Sequence, residues 1–296
     1  MACVGHAALD HVFEVDAIPT EPTKTLARRY RARAGGMSLH AAIACSRLGA
    51  TVRLLGRVGD DAAAEFLRRR LTEEGVEPRG LESVRGASTS LASVTIDAQG
   101  ARQIVIHRGD ALTRAHALDI RQLHGADLVL ADARWPDGAA AALAWAREQG
   151  VPSLLDADVA PIEVLGRLVP LAHWVAFSQP GLALWAAARS PDAALTDALT
   201  QGAALALVTL GADGARWVEP QCAPRHMLPP RVKAIDTTAA GDVFHAALGI
   251  ALVEGLGSHE AVVWACAAAA FKCEQGIGHE GAPTRVQLAA WLERRS

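Results

Sequence analysis

The sequence predicts an α/β fold with a central, mainly parallel sheet flanked by helices and a small β-sheet projecting from it. Short apolar runs alternate with alanine-rich helical stretches along most of the chain, which is the pattern of βαβ units. The runs are continuously apolar, as in strands buried on both faces. At 296 residues the chain allows one large domain with an appendage or two modest domains. No long linker or internal repeat divides it, so we expect one domain over residues 1–296.

The elements of the central sheet are predicted in order along the chain. The first strand begins around residue 3, and two amphipathic helices are predicted over 62–74 and 138–149. Glycine follows each helix, at Gly75 and Gly150, as it often does where helices end. Further core strands are predicted over 51–55, 127–131, 153–155, 174–177 and 205–210.

Two segments depart from this pattern and predict the small sheet. Residues 12–33 and 88–107 alternate polar and apolar side chains, with Gly100 in a turn of the second segment, which is typical of antiparallel hairpins. Such a sheet is placed to act as a lid over a site or to pair with a second copy of the chain. We therefore expect a homodimer that forms through this lid.

Composition favours a small-molecule ligand over a polyanionic partner. Hydrophobic residues make up 51% of the chain and charged residues 21%, which fits an ordinary globular protein. With 29 basic and 32 acidic residues the net charge is −3, so no basic field attracts nucleic acid or anionic lipid. The most apolar stretch, 243–271, is interrupted by Glu254 and Glu260 and is too short on either side to cross a bilayer. We expect neither a nucleic acid nor a membrane partner.

The number and spacing of the cysteines, together with the first ten residues, favour a cytoplasmic protein. The five cysteines are an odd number and lack the CxxC or Cys/His spacing of a zinc site, so we expect buried thiols in a reducing compartment. The first ten residues lack the basic segment and apolar run of a secretory signal.

The strongest chemical signal is the segment 235–244, in which small residues lead into an apolar helical pattern. A helix start presents free N–H groups and the positive end of the helix dipole, which together bind anions such as a phosphoryl group in transfer. Asp242 falls in the first turn, where its carboxylate can take a proton from an attacking hydroxyl. The alternative is an ordinary helix stabilised by an aspartate in its first turn.

This segment resembles the signature of the PfkB, or ribokinase-like, family of carbohydrate kinases. Residues 236–242 resemble its Asp-Thr-x-Gly-Ala-Gly-Asp motif, and Gly35-Gly36 with 56–61 resembles its N-terminal signature. The resemblance covers nearly the whole chain and implies a ribokinase-like fold and an ATP-dependent sugar kinase. It makes Asp242 the catalytic base. The backbone N–H groups of Ala239, Ala240 and Gly241 then form the anion hole; Ala239 replaces a family glycine, which matters only if φ is positive there.

The same resemblance implies the other ligand sites. By that resemblance the nucleotide would bind at Thr209, Gly211 and Gly214, in a turn that follows a strand. No GxxxxGK[ST] loop is present, so a P-loop does not hold the phosphates. The sugar would bind at Asp10, Gly35 and Gly36, close to His40 at a position where the family commonly has asparagine.

The sequence defines the sites of Mg²⁺ and K⁺ less well than those of the nucleotide and the sugar. The family's metal-organising Asn-x-x-Glu element is missing from 178–181, so Mg²⁺ is expected to be held mostly by ATP phosphates and water. No protein ligand for the metal can be named, and K⁺ is a possible further cofactor.

The substrate predicted from the sequence is an anionic ketose. Three segments, 18–24, 129–138 and 177–181, resemble family members that phosphorylate 6-deoxy-6-sulfofructose at its 1-hydroxyl. That resemblance makes Lys24, Arg134 and His107 the cradle for the sulfonate, with His107 in place of an asparagine. Fructose 6-phosphate, tagatose 6-phosphate and a neutral ketohexose are alternative substrates. A catalytically silent sugar or nucleotide sensor is the alternative from another class.

Overall fold

Two β-sheets organise the chain in a computed structural model that describes residues 1–99, 101–112 and 117–295. The strands of these residues are β1 (Ala2–Gly5), β2 (Ala8–Glu14), β3 (Arg29–Gly35), β4 (Val52–Gly59), β5 (Val76–Glu77), β6 (Leu81–Val84), β7 (Ser90–Ile96), β8 (Arg102–His107), β9 (Val129–Asp132), β10 (Ser153–Ala157), β11 (Trp174–Ser178), β12 (Leu205–Thr209), β13 (Ala215–Val218) and β14 (Arg225–Met227). The α-helices are α1 (Met37–Arg47), α2 (Ala62–Glu73), α3 (Pro136–Gln149), α4 (Ile162–Leu168), α5 (Gln179–Ala186), α6 (Pro191–Thr200), α7 (Ala240–Val253), α8 (Ser258–Gln275) and α9 (Arg285–Glu293).

The larger sheet has the order β14-β13-β12-β11-β10-β9-β1-β4-β5, with β6 also paired to β4. Its strands run parallel except β13 and β14, which form an antiparallel edge. The expected mainly parallel sheet is confirmed, and every predicted core strand lies in it. Helix α2 also agrees with its prediction, whereas α3 begins two residues early because Pro136 suits the first turn of a helix.

Helices cover both faces of this sheet and bury two apolar cores. Neighbouring residues of one strand point to opposite faces, so Leu54 packs in the core beneath α1, α7 and α8 while Leu55 packs in the core beneath α3 to α6. Burial on both faces explains why these strands have no polar alternation in the sequence.

The smaller sheet has the order β3-β2-β7-β8 and forms the lid. The pairs β2–β3 and β7–β8 are antiparallel, as the sequence predicted. The two hairpins are joined by a parallel pairing of β2 with β7, because the chain between them passes through the main body. The lid begins at Ala8, directly after β1, rather than at residue 12. The predicted turn at Gly100 lies outside the described residues.

The cysteines differ from expectation at one position. Cys3, Cys45 and Cys266 are buried and Cys273 is half-buried, but Cys222 is exposed, in the loop between β13 and β14. Among the described residues, no helix is long and apolar enough to cross a membrane.

Candidate active site

The site lies at the edge of the large sheet where the parallel strands end. Strands β9 and β10 carry Asp132 and Asp156 at this edge, and β12 ends at Thr209. Open α/β sheets bind their ligands at the carboxyl ends of the strands. The lid rises from the same edge, since β2 follows β1 after two residues.

Helix α7 opens onto this edge with its N-terminus. Asp242 lies in its first turn, with a side chain 13% exposed. Ala239 is the N-cap and has φ 64°, so the family's glycine position does require the left-handed region, and an alanine there is strained. Of the three predicted anion-hole donors, the N–H of Ala240 donates to the carbonyl of Thr237 at 3.2 Å. The N–H groups of Ala239 and Gly241 are therefore the better candidates for donors to a phosphoryl group.

Asp236 holds the loop that leads into α7. Its carboxylate accepts from the N–H of Thr238 at 3.0 Å and from the N–H of Gly278 at 2.7 Å. Arg102 of the lid strand β8 donates both to this carboxylate and to the hydroxyl of Thr238. Burial alone would raise the pKa of Asp236, but the backbone hydrogen bonds and the charge of Lys272 lower it to about 2. The loop is thus fixed around an ionised carboxylate.

His40 contacts the candidate base. Its Nδ1 lies 3.1 Å from Oδ2 of Asp242, and its Nε2 lies 3.1 Å from the carbonyl oxygen of Ala34. A carbonyl only accepts, so Nε2 carries a hydrogen, and a proton must then also lie between Nδ1 and the carboxylate. Burial alone would lower the pKa of His40, but Asp242 and the charge of Asp10 raise it above its usual value. We infer that an imidazolium bonds one oxygen of the candidate base.

Asp10 faces the site from lid strand β2. Burial raises the pKa of this carboxyl, against the nearby positive charges of His40, His11 and Arg33. A Cβ atom on Gly35 would lie 2.4 Å from the Asp10 carboxylate, and one on Gly36, with φ 100°, would lie 2.5 Å from the carbonyl of His6. Both glycines are therefore required by close approach, of the Asp10 carboxylate to Gly35 and of the His6 carbonyl to Gly36.

A cavity of about 580 Å³ adjoins the start of α7. Its wall includes all three predicted nucleotide residues, Thr209, Gly211 and Gly214, and also Ala240 and Gly241 of the anion-hole segment. The rest of the wall is mostly apolar, which suits the face of a nucleobase. The further lining residues are Ala212, Pro229, Pro230, Arg231, Val232, Ala234, Thr237, Phe244, Cys266, Ala269, Ala270 and Cys273.

The structure records no contact that joins the three residues predicted to hold an anion. Arg134 pairs with Asp158 at 3.0 Å and donates to the carbonyl of Val159 at 2.8 Å. Lys24 is exposed in the loop between β2 and β3. The ring of His107, at the end of β8, is exposed and lies 3.4 Å from the hydroxyl of Ser88.

Sequence reasoning missed a group of possible metal ligands. Asp156, Asp242 and His245 place ligand atoms within 4.8 Å of one another. Burial raises the pKa of Asp156 to about 6, and its nearest partner is His245, whose Nδ1 lies 3.3 Å from Oδ2 of Asp156. Two carboxylates and an imidazole are a donor set that divalent cations accept. The signal in the sequence was an aspartate inside the apolar run 153–157.

Comparison with known proteins agrees with this architecture. The model of the pfkB family of carbohydrate kinases matches residues 1–285, and the chain belongs to that family. It is accordingly an ATP-dependent carbohydrate kinase with a ribokinase-like fold, as the sequence predicted, and the silent sensor is set aside.

Three relatives illustrate the range of similarity. A solved structure from Agrobacterium tumefaciens, provisionally named a ribokinase, is 35% identical, with a TM-score of 0.91 and coverage of 99% of this chain and 98% of that one. Ribokinase of Bacillus subtilis is 28% identical over 98% of both chains. An ATP-dependent ribose-1-phosphate kinase of Halopiger xanaduensis is 28% identical over 98% of this chain and 97% of its own.

Proposed function

We propose that this kinase phosphorylates a hydroxyl of a sugar that binds between Asp10 and Asp242 and bears an anionic group. The observation that carries the proposal is the position of Asp242: it lies at the start of α7, close to the cavity wall at Gly241, and His40 occupies only one of its oxygens. A sugar hydroxyl that contacts the other oxygen would lie beside the γ-phosphoryl group of ATP bound in the cavity.

The residues of the chain account for the proton transfer and for part of the charge stabilisation in an in-line transfer. Asp242 takes the proton of the sugar hydroxyl as the new O–P bond forms, and the bond from the γ-phosphorus to the ADP oxygen breaks. The N–H groups of Ala239 and Gly241 stabilise the charge that develops on the phosphoryl oxygens. Asp10 accepts hydrogen bonds from sugar hydroxyls, and the lid excludes water that would otherwise hydrolyse ATP.

We further propose that Asp156 and His245, which lie beside Asp242, are the protein groups closest to the Mg²⁺ that accompanies ATP. The donor set fits, because carboxylate oxygens and an imidazole nitrogen are accepted by divalent cations and carboxylate oxygens suit magnesium. The ion would neutralise charge on the ATP phosphates. A structure of a relative from Escherichia coli, provisionally named Ribokinase II, was solved with ATP and Mg²⁺.

Several observations support an anionic sugar. Arg134 lies directly after β9 at the ligand-binding edge, and Lys24 is one of only three lysines against 26 arginines, on the segment that joins two lid strands. A point cation with a guanidinium suits a sulfonate or phosphate, and His107 adds a donor. The Halopiger relative is named for a phosphorylated sugar. Within this class we propose 6-deoxy-6-sulfofructose, giving its 1-phosphate, as the first substrate to test.

A neutral sugar such as ribose is the second candidate. The pairing of Arg134 with Asp158 favours it, because a guanidinium already neutralised by a carboxylate attracts an added anion less. The names of the Bacillus relative and of the Agrobacterium structure point the same way.

The test is ADP release with Mg-ATP against sulfofructose, fructose 6-phosphate, tagatose 6-phosphate, fructose and ribose. We expect the anionic ketoses to give the highest kcat/KM, and Arg134→Ala to lower it for them alone. Arg167→Ala, which breaks an exposed pair with Asp137 elsewhere, is the matched control. Asp242→Asn should lower kcat by ~10² to 10⁴ for every substrate. A preference for ribose that Arg134→Ala leaves unchanged would replace the anionic substrate with the neutral one.

We propose that two copies of the chain pair through the lid. Strand β8 is an edge strand, and its Ile104, Val105 and Ile106 are 52%, 66% and 61% exposed. An edge with exposed apolar side chains on both faces is suited to a partner. Sedimentation should give a dimer that Val105→Lys dissociates and that Val286→Lys, on the distant helix α9, leaves intact. A monomeric wild-type protein would exclude this pairing.

A further inference from the structure

A lysine is completely buried behind the anion-hole loop. Lys272 lies on α8, and its side chain is 0% exposed. Its Nζ donates to the carbonyl oxygen of Asp236 at 2.7 Å and lies 3.3 Å from the Oδ2 of the same residue. A buried charge is costly unless it is paired and hydrogen-bonded, so this ammonium is held in place by Asp236.

The same residue, Asp236, determines where the loop lies. The N–H groups of Ile235 and Asp236 both donate to the carbonyl of Cys273, the residue after Lys272. The Asp236 carboxylate then fixes the N–H of Thr238, which immediately precedes the strained Ala239 and the donors at the start of α7. A continuous set of short contacts therefore runs from the buried ammonium to the groups that face the phosphoryl oxygens.

The charges around Asp236 explain why a cation is required there. Its backbone carbonyl and carboxylate oxygens converge on one point, and without a positive charge their mutual repulsion would open the loop. Arg102 supplies charge from the lid side, to Oδ1 of Asp236, while Lys272 supplies it from the core side. Burial lowers the pKa of Lys272, and the charge of Asp236 opposes that effect.

We propose that Lys272 is a positioning residue that holds the anion-hole loop from behind and takes the place of a diffusible monovalent cation. An ammonium group carries the same single charge as K⁺ and binds oxygens at hydrogen-bond distance. Because its Nζ already occupies the oxygens of Asp236, the enzyme should need no added K⁺, contrary to the cofactor that the sequence left open. The inference rests on the proposed kinase function, since it concerns the loop that binds the transferred phosphoryl group.

The first experiment compares K⁺, NH₄⁺ and tetramethylammonium chlorides at equal ionic strength. The wild-type enzyme should have the same kcat in all three salts. Lys272→Ala should lose about 10²-fold in kcat, because the anion-hole donors are displaced, with a smaller change in the KM for sugar. K⁺ or NH₄⁺ should restore part of that loss by entering the vacated space. Lys272→Met, whose side chain fills the space, should not be restored by either ion.

Val262→Ala, at a fully buried position of the same helix, is the control for loss of packing. It should reduce stability without a selective loss of kcat and without any response to K⁺. Activation of the wild-type enzyme by K⁺ well beyond the tetramethylammonium control would overturn the proposal, and so would an unchanged kcat in Lys272→Ala. If the variants fail to fold, the salt response of the wild-type enzyme decides by itself.

A second readout separates this inference from the proposed function. Amide hydrogen exchange over 235–241 should be faster in Lys272→Ala than in Val262→Ala, and K⁺ should slow it only in the former. This measurement needs no substrate, so it remains decisive even if none of the sugars is phosphorylated. Equal exchange in the two variants would show that Lys272 does not position the loop.

Discussion

At the residue scale, the most informative side chain is His40. Its ring joins the carbonyl of Ala34 to the carboxylate of Asp242 and therefore fixes which oxygen of this candidate base stays available. The ring of His279 is tilted by 34° against that of His40, with 5.6 Å between the ring centroids, and burial together with the charge of His40 lowers the pKa of His279 to about 2. Of the two histidines, only His40, which contacts Asp242, therefore carries a positive charge.

Replacing His40 by leucine should remove the support of the candidate base. Leucine has no N–H to donate to the carboxylate, so Asp242 gains rotational freedom, and kcat should fall by ~10²-fold. The KM for ATP should change little, because His40 is not part of the cavity wall. The measurement is kcat and KM for both substrates, with His124→Leu, beside Trp145, as a remote control. A kcat equal to that of the control would show that Asp242 needs no support from His40.

Ala239 is a second residue whose conformation matters. An L-residue in the left-handed region is strained by roughly 1–2 kcal/mol, while glycine is less costly there but more flexible when unfolded. Ala239→Gly should therefore change the free energy of unfolding by less than about 1 kcal/mol and retain activity. Ala239→Val should cost roughly 1–3 kcal/mol, because a β-branched residue rarely adopts this conformation.

Urea unfolding of both Ala239 variants tests this difference. Ala62→Val, at an exposed position of α2, measures the ordinary cost of valine in a helix. Equal stability of Ala239→Val and Ala62→Val would mean that the conformation of Ala239 carries no strain.

At the element scale, the lid is connected to the loop that leads into α7. Arg102 on β8 contacts both Asp236 and Thr238, so movement of this strand would displace the residues that precede α7. Binding of sugar with a non-hydrolysable ATP analogue should slow amide exchange in 12–33 as the lid closes. Arg102→Met should reduce that protection, whereas Arg29→Met, an exposed arginine of the same sheet, should not. Exchange that sugar leaves unchanged would contradict closure of the lid.

At the scale of the whole molecule, the ionisation of Asp236 makes the free energy of unfolding depend on pH in the acid range. Its pKa is about 2 in the folded chain and about 4 when unfolded, so the ionised carboxylate stabilises the fold above pH 4. That contribution, about 2 kcal/mol, is lost as the pH falls from about 4 to 2. In Asp236→Asn the free energy of unfolding should be lower at neutral pH and should fall less in acid. Urea unfolding at several pH values measures both, and parallel curves for the two proteins would refute the assignment.

The fold could be predicted because its signals are local. Continuous apolar runs mark strands buried on both faces, and the glycines after α2 and α3 end those helices within a few residues of the expected positions. The start of α7 and its Asp242 could also be found, since they lie in one contiguous segment. The parallel joining of β2 to β7 could not, because it depends on how the chain passes through the main body between them.

The sequence by itself therefore determined the α/β class, the lid segments, the family and the candidate base, because each of these depends on residues that are neighbours in the chain. Only the tertiary structure decided what surrounds that base. His40 and Asp242 are 202 positions apart, and the contact of Lys272 with Asp236 joins two separate elements. Such pairs form where helices packed on the same sheet bring their side chains to one edge, and no local periodicity encodes that proximity. The positive φ of Ala239 likewise follows from the packing of its loop rather than from the residue itself.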